Sequence, residues 1–120
     1  MERRAENNCP THKAPPAPYY AVIFSSTLAD DAEGYSTMAD RMVALAKEQD
    51  GFLGVESAAR TSDGFGITVS YWRDLESIRR WKAQSEHAAA QKMGRDAFYK
   101  NYRLRIARVE REYGFEQRGE

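Results

Sequence analysis

A chain of 120 residues and 13.7 kDa holds one domain and leaves no room for two full cores. Its 18 Lys plus Arg match 18 Asp plus Glu, which argues against a dedicated nucleic-acid binder and against a polybasic membrane-surface protein. Apolar residues at 42% and aromatics at 12% are too many for a disordered chain, yet no apolar run is long enough to span a bilayer. Arg3 and Arg4 are followed by no apolar stretch, so no secretory signal is read. The single cysteine, Cys9, can form neither an internal disulfide nor a thiolate cluster, and a cytoplasmic, reducing location is expected.

Residues 1–18 carry all four prolines (Pro10, Pro15, Pro16 and Pro18) and no hydrophobic period, so they read as a flexible leader. Cys9 and His12 lie within it and make a poor metal site on their own. The folded domain is placed at 19–115, with 116–120 as a C-terminal tail. From Tyr19 to Thr27 an aromatic and β-branched run predicts a strand. Asp30 or Asp31 can cap a helix whose apolar face is Tyr35, Met38, Ala39, Met42, Val43 and Ala46, ending at Asp50-Gly51. Phe52 to Arg60 predicts a second strand and Thr61-Ser62-Asp63-Gly64 a turn. A third strand follows, in which Phe65, Ile67, Val69 and Tyr71 alternate with Gly66, Thr68, Ser70 and Trp72. Asp74 caps a helix whose buried face starts Leu75, Ile78, Trp81. Its continuation from Ser85 can form a second helical piece at a new angle. A last strand is expected from about Asn101 to Tyr113.

The order β-α-β-β-α-β is the ferredoxin-like α+β arrangement, a four-stranded antiparallel sheet with both helices on one face. Apolar side chains point both ways from the first strand, and Trp72 lies opposite the main apolar row of the third. Such two-sided burial predicts a homodimer packed sheet to sheet.

Phosphate-loop, nucleophile-elbow and zinc signatures are missing from the sequence. Chemistry-bearing side chains instead concentrate between Ser70 and Tyr99. On one helix His87, Gln91 and Arg95 are four apart and share a face, offering a proton carrier, an amide and a guanidinium. Trp72, Trp81 and Tyr99 can provide flat walls for a planar ligand. Each has a structural reading too: Trp81 as core, Trp72 at the dimer contact, His87 bonded to backbone, Arg95 at a helix C-terminus. Arg103, Arg105, Arg108 and Arg111 read as a solvated or subunit-pairing face.

The text Val69-Ser70-Tyr71-Trp72-Arg73-Asp74, then Ile78 and Trp81, then His87-Ala88-Ala89-Ala90-Gln91 and Gly94-Arg95, resembles the antibiotic biosynthesis monooxygenase domain family. More narrowly it resembles the bacterial branch related to polyketide biosynthesis, and Asp50-Gly51-Phe52-Leu53-Gly54 also matches. The similarity covers about residues 19–115. It implies a dimeric α+β barrel and oxygenation of a small phenolic or quinol substrate with no metal, flavin or haem. On that basis His87 is assigned to proton transfer, Arg95 and Gln91 to the oxyanion, and Trp72, Trp81 and Tyr99 to the ring. A haem-degrading branch fits less well: Trp81 matches its Trp, but Phe24 stands where its Asn belongs and Gln91 near its His. A non-catalytic, ligand-binding or structural dimer of the same fold is the alternative.

Overall fold

The computed structural model describes residues 16–30, 35–92 and 99–117. Six elements follow in chain order: β1 (Tyr19–Leu28), α1 (Tyr35–Lys47), β2 (Phe52–Ser57), β3 (Phe65–Trp72), α2 (Leu75–Lys92) and β4 (Tyr99–Val109). The strands form one antiparallel sheet in the order β2-β3-β1-β4. This is the expected ferredoxin-like α+β arrangement, with β1 and β3 central. Residues 1–15 of the leader, with Cys9 and His12, lie outside the described residues. No helix among the described residues is long and apolar enough to cross a membrane.

Strand periodicity assigns the two faces. On the helix side β1 presents Tyr20, Val22, Phe24 and Ser26, beside Trp72, Ser70, Thr68 and Gly66 of β3. The core gathers Val22, Ala46, Trp72 and Ile78, with Tyr20, Phe52, Trp81 and Leu104 packed around them. Trp72 is its centre, with none of its surface exposed and its indole N–H donated to Ser70 Oγ at 2.8 Å. The opposite, open face carries Tyr19, Ala21 and Ile23 of β1, Phe65, Ile67, Val69 and Tyr71 of β3, and Ala107 and Val109 of β4. Apolar side chains do point both ways from the sheet.

Both helices meet the sheet in a slightly different phase from that expected. In α1 the inward line runs through Met42, Leu45 and Ala46, while Val43 is exposed. In α2, Leu75 is exposed and Ser77, Ile78, Trp81 and Ser85 turn inward. The cap explains this phase: Asp74 accepts the Ser77 backbone N–H at 2.8 Å, and Ser77 then packs over Gly51. A Cβ on Gly51 would collide with Ser77 Oγ and come within 2.7 Å of its Cβ. Hydrogen bonding from the Ser77 backbone, and then from its hydroxyl and Arg73, holds the Asp74 carboxyl down at about 2. The helix does not break at Ser85, whose hydroxyl donates to the Trp81 carbonyl at 2.8 Å inside a continuous α2.

Strand limits follow the partners. β4 stops at Val109, short of the expected Tyr113, because Val109 is already opposite Tyr19, the first residue of β1, and Pro18 before it has no N–H to offer. Residues 110–117 continue as exposed chain, and the expected 115/116 boundary falls within that stretch. β2 ends at Ser57 instead of Arg60, and Arg60 turns inward to donate to the carbonyls of Ser26 and Gly64. Gly64 takes the left-handed conformation, φ 91°, that its place in the turn predicts.

On the open face Tyr19 and Tyr71 meet edge to face, centroids 5.8 Å apart, and each phenol donates to a carboxylate, Tyr19 to Glu112 and Tyr71 to Glu56. Burial, followed by the bonded carboxylates, raises both phenol pKa values, that of Tyr19 to about 12.

Three outcomes are expected. Trp72→Ala should lower unfolding free energy by about 3–5 kcal/mol in a denaturant titration. Gly51→Ala should cost about 1–3 kcal/mol, because backbone and Ser77 must shift to admit one methyl group. For Tyr19 the raised folded pKa means that its stabilisation is complete below pH 10 and is lost as pH climbs through about 12. The wild-type minus Tyr19→Phe difference titration should therefore show Tyr19 ionising later in the folded than in the unfolded chain, and Glu112→Gln should bring that ionisation to lower pH while leaving the part due to burial.

Candidate ligand site

The helix side of the sheet changes character along its length. At the Tyr20 end Trp72 is wedged between Phe52, 5.5 Å away and edge-on, and Trp81, 5.2 Å away and tilted by 34°. The Trp81 indole donates to the Met42 carbonyl at 3.1 Å, tying α2 to α1. Past Trp72, however, β3 offers this side only Ser70, Thr68 and Gly66. Above those small residues the walls come from the neighbouring strands.

Phe24 of β1 and Tyr99 and Tyr102 of β4 form a second aromatic cluster there, each pair of centroids 5.5 Å apart. Leu104 lies opposite Phe24, and Ile106, opposite Val22, is 47% exposed. Tyr99 and Tyr102 are three residues apart and would normally point to opposite faces of a strand. A register shift between Thr27 and Leu28 sets Leu28 opposite Tyr99 and Thr27 opposite Asn101, which brings both rings to the helix side.

A cation closes this end. Arg60 donates to the Ser26 carbonyl at 3.1 Å, to Ser26 Oγ at 2.9 Å and to the Gly64 carbonyl at 2.7 Å. Its stem occupies the space over Gly66, where a Cβ would lie 2.8 Å from Arg60 Cγ. Ser26 is buried and pairs with both Gly66 and Tyr102, so the guanidinium is held one register step from the aromatic cluster. The arrangement sets three aromatic edges beside a fixed positive charge.

The sequence-predicted site residues divide accordingly. Tyr99 stands in the second cluster, whereas Trp72 and Trp81 belong to the first and make no ring contact with it among the described residues. Trp72, expected as a ring wall, has none of its surface exposed and sits in the core. Trp81 is half-buried and bonded to α1. His87 and Gln91 lie on the last turns of α2, with their side chains outside the described residues, and Arg95 lies wholly outside them. Phe24, Tyr102 and Arg60 are the residues that sequence reasoning passed over as site members. Only strand register reveals them, because they come from three separate segments. No group of three or more His, Cys, Asp or Glu is placed to hold a metal ion among the described residues.

Comparison with known proteins bears on this scaffold. A model of the antibiotic biosynthesis monooxygenase family matches residues 18–93. The uncharacterised protein YqjZ of Bacillus subtilis is 50% identical over 105 residues, covering 88% of this chain and 91% of its own. A jasmonate monooxygenase of Pyricularia oryzae is 30% identical over 92 residues, which span 75% of this chain and 43% of the fungal protein. Among solved structures, SnoaB of Streptomyces nogalater, a cofactor-independent oxygenase, superimposes with a TM-score of 0.63 at 19% identity, covering 81% of this chain and 97% of its own. PA3566 of Pseudomonas aeruginosa gives 0.61 at 21% identity, with coverage of 81% and 97%. The extent of the family match establishes that this chain belongs to the antibiotic biosynthesis monooxygenase family.

Proposed function

We propose that this protein is a monooxygenase that oxidises a small planar phenol or quinol with dioxygen and no metal, flavin or haem. The observation that carries the reading is the taper of the helix side of β3 from Trp72 to Gly66, under aromatic walls of Phe24, Tyr99 and Tyr102 with Arg60 at the end. A flat, ionisable ring suits that shape and charge. Family membership supports the reaction class.

In the proposed reaction the substrate supplies the electrons. For an anthrone-type ring, loss of a proton gives an extended enolate. The enolate reduces dioxygen, a carbon–oxygen bond forms, and cleavage of the O–O bond leaves a carbonyl and one water. The ring methylene thus loses two hydrogens, one oxygen atom enters the product and the other leaves as water. The protein's share is to bind the ring, remove its proton and stabilise the resulting anion. We assign proton removal to His87 and the oxyanion to Gln91 and Arg95, as the sequence reading has it. Ring contact goes to Tyr99 with Phe24 and Tyr102. Arg60 adds charge beside the cluster.

The reading includes a homodimer formed through the open sheet face and residence in a reducing cytoplasm. The apolar row Ile23, Val69, Ile67 and Phe65 supports the dimer, with Phe65 at 40% and Ile67 at 44% exposed in the single chain. A second reading, a ligand-binding or structural dimer without catalysis, draws on the filled Trp72–Trp81 end of the helix side.

Oxygen-electrode assays with a panel of anthrones and quinols separate the two. The monooxygenase reading expects uptake of one dioxygen per substrate in metal-chelated buffer, and it fails if no panel member supports uptake. Among active protein, His87→Ala should lower kcat by about 100-fold or more. Phe24→Ala should act mainly on KM, since it trims the binding wall and leaves the proton carrier in place. Thermal stabilisation by the same phenols with no oxygen consumed would favour the binding-only reading.

A further inference from the structure

Ser70 is buried on the helix side of β3, with 6% of its surface exposed, and only half of its hydroxyl is used. The oxygen accepts the Trp72 indole N–H at 2.8 Å. The hydroxyl's own hydrogen finds no acceptor among the described residues. Strand register is the reason. Val22 of β1 and Val55 of β2 flank Ser70, and neither side chain carries a polar atom. β3 lies between two antiparallel partners, so the carbonyls beside Ser70 are engaged in the ladders. Ala46 and Ile78, which join Val22 and Trp72 in the core, are apolar as well. A buried hydroxyl has given up its bonds to bulk water, and a proton left without an acceptor is unfavourable.

The surroundings limit where that proton can point. Because the oxygen receives the indole from the Trp72 side, the O–H bond turns toward Thr68 or toward the space beneath the helices. Thr68 is the next residue on this side, half-buried opposite Phe24, and its hydroxyl also meets no protein partner among the described residues. Both hydroxyls thus belong to the low floor beside the rings of Phe24, Tyr99 and Tyr102. A flat hydrocarbon can cover such a floor but cannot accept the proton. A ring with an oxygen at its edge does both.

We infer that Ser70 is a specificity residue of the ring site, its hydroxyl donating a hydrogen bond to a carbonyl oxygen at the edge of the bound ring. The inference rests on the ring binding proposed above and narrows the ligand class to planar aryl ketones. The same contact suits an anthrone, whose carbonyl oxygen gathers negative charge when the ring methylene loses its proton.

Equilibrium dialysis of the full chain with 9-fluorenone and with fluorene tests this, since the two tricycles share a flat outline and differ by a carbonyl in place of a methylene. Fluorene is the more apolar, so hydrophobic transfer alone favours it, and a preference for the ketone reports a hydrogen bond. The wild-type chain should bind fluorenone at least about fivefold more tightly than fluorene. Ser70→Ala should abolish the preference by weakening fluorenone alone, whereas Trp72→Phe, which removes the indole donor and keeps an aromatic ring, should retain it. Circular dichroism melts check that each variant is folded, and Ser70→Cys, a poor donor of similar size, supplies the reading if the alanine variant is not. Equal binding of the two probes by the wild type, or a preference that survives Ser70→Ala, overturns the role of Ser70 and leaves the ring site standing. Loss of the preference in Trp72→Phe as well overturns it too, because Ser70 then acts only by holding the indole. If neither tricycle binds the wild-type chain, the ring site fails and the inference fails with it.

Discussion

Pairing of β1 with β3 on one side and β4 on the other decides what nearly every side chain in this protein faces. β1 is apolar on both faces, so its composition leaves open which face receives the helices. Trp72 settles the matter. Its indole is too large to leave on an exposed surface, and opposite Tyr20 it fills the space beneath α2. The more continuous apolar row of β3, Phe65 to Tyr71, is thereby turned away from the helices. One buried ring thus creates both a helix-covered core and an open apolar face.

The same register separates two functions on the helix side. Large rings pack the Tyr20 end and bind α1 to α2, while serine, threonine and glycine at successive helix-facing positions of β3 keep the other end low. A single irregularity between Thr27 and Leu28 then rotates Tyr99 onto the side of Tyr102. Without it, a phenol would point at the open face and the cluster with Phe24 would lose a wall. Gly66 and Arg60 are coupled in a similar way, since the absence of one side chain admits the other.

Polar groups on the open face are placed with equal economy. Tyr19 and Tyr71 keep their protons well beyond the ordinary phenol range because burial and a bonded carboxylate both oppose ionisation. Neutral phenols that donate to Glu112 and Glu56 fix those carboxylates at the rim of an apolar stripe. On an edge strand this also limits uncontrolled strand addition, because charged side chains discourage it.

Much of the architecture was legible from the chain alone. Aromatic and β-branched runs, helical spacing around Ile78 and Trp81, the Asp74 cap and the Gly64 turn specify the order of elements through local backbone preferences. Family resemblance in the Val69–Asp74 text and its continuation could likewise be read without coordinates. Helix phase could not, because Leu75 and Val43 look as apolar as their neighbours and only packing against Gly51 and the sheet ranks them. Nor could the ring cluster of Phe24, Tyr99 and Tyr102 or its neighbour Arg60. Those residues are brought together by cross-strand register and by one bulge, and both are set by which distant segments pair, an interaction with no period or motif in a linear sequence.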